Sequence, residues 1–264
     1  MKIILIFIFI IKFTKIVSME LAPTENYLFS QEGNIPLLIT VPHGGGKEIP
    51  GFPIRASGCL KKDIRTLELV TEMNEYFKMS GQIPYIVAAL FSRKFIDANR
   101  SKERALENVQ LIPVYEEYHN RIKKFIEQLK GNFPYGALLI DIHGQGREPS
   151  AIHRGTKNGT TVKNFILRNG PNGISGQTSI FGQLSKRGYS IFPPENELND
   201  IPESNHFDGG FTVREYGKDI IDAIQIEIGT NWREKSECRQ IFVKDFAEIL
   251  PSFVKHYYKN LSQN

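Results

Sequence analysis

Three residues stand where apolar runs end or are interrupted, and each is of a type that can do chemistry. His43 follows PLLITVP, His143 follows ALLIDI, and Glu227 interrupts AIQIEI. If these runs are parallel strands, two imidazoles and a carboxylate reach one edge of a sheet. Neutral imidazole and carboxylate are zinc's usual ligands where thiolate is absent, and a catalytic zinc needs three protein ligands and a position open to water. For the third ligand two acids compete. Asp63 lies near the start of the helix expected after the His43 loop, from where it could be aimed back at the strand end; Glu48 lies on the loop itself. Singly each residue has a plainer reading, Asp63 as an acid at a helix N-terminus and each histidine as hydrogen-bonded structure, so the combination carries the weight. Asp141, two residues before His143 and on the same side of a strand, could orient a ligand imidazole.

Two further clusters could grip a substrate. SRKFIDANR (92–100) contains Arg100 beside Asn99, and a guanidinium fork holds a carboxylate through two parallel bonds. The plainer reading pairs Arg100 with Asp97. DGGFTVREYG (208–217) couples two glycines, which permit close backbone approach, to Arg214, a second anion contact. Of the remaining histidines, His119 is expected to be structural, His256 solvated, and His153 and His206 are candidates to line the pocket.

The elements that would position these residues follow from the patterning. Pro36–Pro42, Pro84–Ala89, Ala137–Ile142 and Ala223–Ile228 are short apolar runs rich in β-branched residues, as in strands buried on both faces. Helical spacing marks Leu60–Met79, Val114–Leu129 and Lys244–Tyr258. Strands alternating with helices predict an α/β fold with a central, mostly parallel sheet and helices on both faces. Residues 144–217 carry many Gly, Asn, Ser and Pro and read as long loops with short elements, placed where an α/β sheet binds ligands. No internal repeat, heptad or linker divides residues 19–264, which are read as one domain.

Composition narrows the classes. The 264 residues are 41% hydrophobic and 23% charged, with a net charge of +4. Lys2, Lys12 and Lys15 leave 30 basic against 29 acidic residues over 19–264, so no nucleic-acid or polyanion surface is indicated. Two cysteines, Cys59 and Cys238, exclude a disulfide framework and a thiolate zinc site and leave room for a single disulfide. Nine apolar residues from Ile3 to Ile11 follow Lys2; they are too few for a bilayer span of roughly 20, and residues 1–18 read as a signal peptide or as a start set too early, with Met19 the first residue. The expected location is periplasmic or secreted with a signal peptide and cytoplasmic without, and no stable membrane insertion is expected. Asn158 and Asn260 open N-x-S/T sequons.

In order, VPHGG, FIDANR, DIHG, GGFTVREYG and IEIG resemble the N-formylglutamate amidohydrolase family, related in fold to the zinc carboxypeptidases and aspartoacylases, over roughly residues 36 to 230. The resemblance implies a zinc carboxypeptidase-like (phosphorylase/hydrolase-like) fold and a zinc-dependent amide hydrolase with one Zn2+ per chain. It assigns His43, Asp63 and His143 as metal ligands and Glu227 as general base. Asn99 and Arg100 would hold a substrate carboxylate, Arg214 would match the arginine of the glycine-rich segment, and a nearby arginine, with Arg100 the candidate, would aid the developing oxyanion. The carboxypeptidase pair HxxE is not present, since position 46 is Gly, so the choice between Asp63 and Glu48 stays open. The implied substrate is a small carboxylate-bearing amide such as N-formylglutamate. The alternatives are a secreted or periplasmic metallocarboxypeptidase or amidase acting on peptide or cell-wall fragments, and a non-enzymatic metal-binding protein.

Overall fold

A computed structural model describes residues 23–194 and 202–258. The expected leader at 1–18 and the Asn260 sequon lie outside them. Seven strands form one sheet: β1 (Leu28–Gln31), β2 (Leu37–Val41), β3 (Tyr85–Ala89), β4 (Ala137–Gln145), β5 (Ala151–Gly155), β6 (Ser190–Phe192) and β7 (Ile221–Gly229). Among the described residues the α-helical segments are α1 (Thr66–Ser80), α2 (Lys102–Ala105), α3 (Ile112–Asn132), α4 (Lys163–Asn169), α5 (Asn172–Ser175), α6 (Ile180–Lys186), α7 (Phe211–Tyr216), α8 (Thr230–Arg233) and α9 (Ser236–Tyr257). The strand order is β1-β3-β2-β4-β7-β5-β6. Pairing is parallel except for β1 on β3 and β5 on β7, so the sheet is mixed but mostly parallel, as expected.

The central strands β2, β3, β4 and β7 are read correctly because both of their faces are covered. One face presents Leu37, Ile39, Val41, Ile140, Ile142, Ile224, Ile226 and Ile228 to a core that includes α1 and α9. The other presents Leu38, Leu139 and Ala223 to the Tyr118–Ile122–Phe125–Leu129 stripe of α3. Each such apolar side chain contributes roughly 1.5–3 kcal/mol on burial. Toward the carboxyl edge the α3 face turns polar. Parallel register places Thr40 beside Asp141, Asp141 beside Gln225 and His143 beside Glu227, and residues two apart on a strand share a face. A sheet that stays apolar on one face and turns polar at one end of the other locates the site.

Helices α1 and α9 and strands β5 and β6 depart from expectation. Helix α1 starts at Thr66 rather than Leu60, and Arg65 before it is left-handed at φ 66°; residues 59–62 bury no apolar side chain that would hold a further turn. Helix α9 starts at Ser236 rather than Lys244, its first turns tied down by Arg239, which donates to Glu72 at 2.9 Å and to the Arg233 carbonyl at 2.9 Å. Strands β5 and β6 fall in the region expected to be loops with short elements. A polar pair, His153–Arg154, hides β5 in the sequence, although all five of its residues are buried. Cys59 and Cys238 are free thiols. No helix of the described residues is long and apolar enough to cross a membrane.

Candidate active site

His43 leaves β2 on a turn that needs glycine, because a side chain at Gly45 would run into the Leu90 backbone. Asp63 reaches the same place from the loop before α1, not from the helix itself. Its backbone N–H donates to the His43 carbonyl at 3.1 Å, and its own carbonyl accepts from the Thr66 hydroxyl at 2.8 Å. Arg233 fixes this loop against the sheet by donating to the Ile64, Ile228 and Gln145 carbonyls, one each from the loop, β7 and β4. His143 arrives on β4.

The three side chains converge, with one ligand atom from each lying within 4.8 Å of the others. Asp63 Oδ2 stands 3.4 Å from His43 Nδ1 and 3.1 Å from His143 Nδ1 and accepts from the Gly144 N–H at 3.1 Å. Both imidazoles thus turn Nδ1 inward, and a carboxylate anchors each ring from behind. Asp97 Oδ1 lies 2.7 Å from His43 Nε2. Asp141 Oδ2 lies 2.9 Å from His143 Nε2, and its other oxygen accepts from Thr40 at 2.6 Å. Arg93 in turn donates twice to Asp97 Oδ2, at 3.0 and 2.9 Å. A carboxylate behind each ring puts the proton on Nε2 and leaves Nδ1 able to ligate, the second layer that metal-binding histidines use. His43 Nδ1 is buried and has no hydrogen-bond partner among the described residues. Two nitrogens and one carboxylate oxygen facing one point, one of them an orphan, fit a zinc-type ion.

Charge supports the same reading. Burial alone would raise Asp63, yet His43 and His143 hold it well below the usual carboxylate range. Burial likewise opposes ionisation of Asp97, and His43 with Arg93 overrides it downward. Burial disfavours a charged His143, but Asp141 and Asp63 raise it well above the ordinary imidazole value.

Glu227 behaves differently. It sits on β7 opposite His143, and burial pushes its carboxyl up to about 7. Its Oε1 accepts from the Gln225 amide at 3.0 Å, and Gln225 Oε1 accepts from the Gly210 N–H at 2.6 Å. The glycine-rich segment is thereby tied to Glu227. A side chain on Gly210 would overlap the Asn99 amide.

The other sequence candidates separate. Glu48 is exposed and outside the metal-type group. Asn99 is turned inward: its Oδ1 accepts from the Thr212 N–H at 2.8 Å, which ties it to the glycine-rich segment, and its Nδ2 lies 3.1 Å from His143 Nε2. Arg100 is half-buried with one donor on the Asn99 carbonyl, and Arg214 is exposed with Nε on the Gly210 carbonyl. Asp97 pairs with Arg93, not Arg100. His119 is buried on α3 and bound to Tyr216 at 2.8 Å, while His206 and His256 are exposed. Sequence reasoning missed Asp97 as the anchor of His43, Arg93 behind it, and Gln225. The signal for Gln225 was present, two residues before Glu227 in a strand.

No protein-family model matches the chain, and no curated protein matches it in sequence. Among solved structures, N-formylglutamate amidohydrolase from Ralstonia eutropha JMP134 superposes with a TM-score of 0.60 at 15% identity, covering 88% of this chain and 98% of that one. The gene product Atu2144 from Agrobacterium tumefaciens gives 0.59 at 12% identity, covering 88% and 96%. The fold is therefore that of an N-formylglutamate amidohydrolase, in agreement with the motif resemblance.

Proposed function

We propose that this chain, with its N-formylglutamate amidohydrolase fold, is a metal-dependent amide hydrolase acting on a small carboxylate-bearing N-acyl amino acid. The observation that carries the reading is the convergence of His43 Nδ1, His143 Nδ1 and Asp63 Oδ2, each imidazole backed by its own carboxylate, beside a glutamate lifted to about 7. His43, Asp63 and His143 would hold one zinc ion, which when bound supplies Lewis acidity to a water and to the amide carbonyl.

The chain's own residues do the rest. With Oε1 engaged by Gln225, Glu227 has Oε2 to take a proton from the attacking water and return it to the leaving nitrogen. A carboxyl near 7 suits both halves of that exchange at neutral pH. Asp97 and Asp141 hold the imidazoles in the ligating tautomer. Arg100 and Arg214 are the proposed contacts for the substrate carboxylate, and Arg100 is also the proposed group to offset negative charge as the carbonyl is attacked. Asn99, proposed from the resemblance as a substrate contact, would serve through Nδ2, the atom of its amide that can donate to a carboxylate, while Oδ1 stays with Thr212.

The test combines elemental analysis with formate release from N-formyl amino acids. About one zinc per wild-type chain, lost in His143→Ala together with turnover, is the expected result. Zinc without turnover on any N-acyl amino acid would favour the non-enzymatic metal-binding reading. No zinc after reconstitution would refute the proposal.

A further inference from the structure

His153 is a buried imidazole, 1% exposed, and neither ring nitrogen has a hydrogen-bond partner among the described residues. Nε2 has the Glu148 carboxylate 3.4 Å away, and an unpartnered Nδ1 at that depth is costly unless something outside the chain completes it. The sheet register shows where that something would lie. His153 on β5 is directly opposite Glu227 on β7, and Glu227 is opposite His143 on β4. Cross-strand partners project from the same face of a sheet and stand about 5 Å apart. His143, Glu227 and His153 therefore form a row across the carboxyl edge, with the metal-type group on one side of Glu227 and His153 on the other. Phe192 and Phe207 pack on the ring at centroid distances of 5.3 and 4.8 Å and fix its plane.

The neighbouring charge decides which nitrogen can accept. Glu148 Oε1 lies 3.4 Å from His153 Nε2. A carboxylate accepts only, so it favours the proton on Nε2 and leaves the lone pair on Nδ1. Burial lowers the ring's affinity for a second proton, which keeps that lone pair available at neutral pH. Glu148 also makes the surroundings unwelcoming to another anion.

We propose that His153 is a substrate-contacting residue whose Nδ1 accepts a hydrogen bond from an N–H or O–H of the bound amide, so that the site selects amides carrying a donor on the side of Glu227 away from the metal group. This rests on the hydrolase reading above and adds a specificity determinant to it. The substrate's carboxylate falls to the arginines, and the group that meets His153 is an amide, hydroxyl or ammonium.

The isosteric pair N-formyl-L-glutamine and N-formyl-L-glutamate differs only in offering donors or a carboxylate at the side-chain end. On zinc-loaded full-length protein, kcat/KM should favour the glutamine compound by about tenfold or more, the cost of an unmet buried polar group. His153→Phe should bring the ratio near one, and His153→Asn, whose amide oxygen can stand in for Nδ1, should restore part of it. Nitrogen-15 NMR of the His153 ring provides the second readout: Nδ1 should be unprotonated and should shift with the glutamine compound but not with the glutamate compound. Turnover with a ratio unchanged in His153→Phe, and Nδ1 unmoved, would overturn the proposal while sparing the hydrolase reading. A shift at Nδ1 with no turnover of either compound would sink the hydrolase reading and leave the contact standing. No turnover with Nδ1 unmoved would refute both.

Discussion

Asp97→Asn tests the scaffold behind His43 because the amide cannot satisfy all of the partners that the carboxylate now holds, which are His43, Arg93 and the Asn99 N–H, the last on Oδ1 at 3.1 Å. Asp97 accepts from His43 Nε2 at 2.7 Å through Oδ1 and from Arg93 at 3.0 and 2.9 Å through Oδ2, with 2% of the residue exposed. If the asparagine oxygen stays on Arg93, its NH2 faces His43 Nε2, which must then accept; the imidazole proton moves to Nδ1, the atom needed for the metal. Loss of such an orienting partner weakens metal binding about 10–100-fold. If instead the oxygen turns to His43, Arg93 is left with an NH2 in place of its carboxylate, and breaking a buried ion pair costs about 3–5 kcal/mol of stability. Either orientation leaves a mark, in one measurement or the other. A competition titration of zinc against a chromophoric chelator reads the first, and urea unfolding of the zinc-free protein reads the second. Zinc affinity within twofold of wild type, together with unchanged stability, would refute the argument that Asp97 holds His43 for a metal.

Two further outcomes follow from the buried titratable groups. Glu227→Gln should abolish hydrolysis while leaving zinc content unchanged, and it should stabilise the zinc-free protein above pH 7. A carboxyl raised to about 7 by burial ionises in the unfolded chain first, so its contribution to stability falls as pH rises through the interval from the unfolded value to about 7. Full activity in this variant, or lower stability at pH 8, would contradict the role. For His119 the direction is reversed. Burial lowers its pKa to about 4 from 6.5, so the unfolded chain takes up the proton first on acidification and stability is lost between about pH 6.5 and 4. The loss amounts to about 3 kcal/mol, and denaturation curves across that window should flatten in His119→Asn; an unchanged pH slope would show that His119 is not the group responsible.

That His43, His143 and Glu227 come together was legible in the chain, and how they are held was not. His43, His143 and Glu227 could be picked out because buried parallel strands write themselves as apolar runs, and a polar residue ending or interrupting one is conspicuous. Asp63 was named, but for a reason the structure replaces: it is placed by the His43 carbonyl, Thr66 and the Arg233 clamp, contacts between segments far apart in sequence. Strand β5 was invisible because its own composition is mixed and only pairing with β7 makes it a strand.

The sequence by itself determined the α/β class, the central strands and the identities of the candidate ligands, since these depend on local periodicity and on what each side chain can do. Tertiary structure alone decided that Asp63 rather than Glu48 joins the histidines, that Asp97 and Asp141 stand behind them, and that His153 completes a row with Glu227. Those are facts of register and of loop placement across gaps such as the 54 residues between His43 and Asp97 and the 80 between Asp63 and His143, and one residue of slip in a strand would turn every one of its side chains to the opposite face.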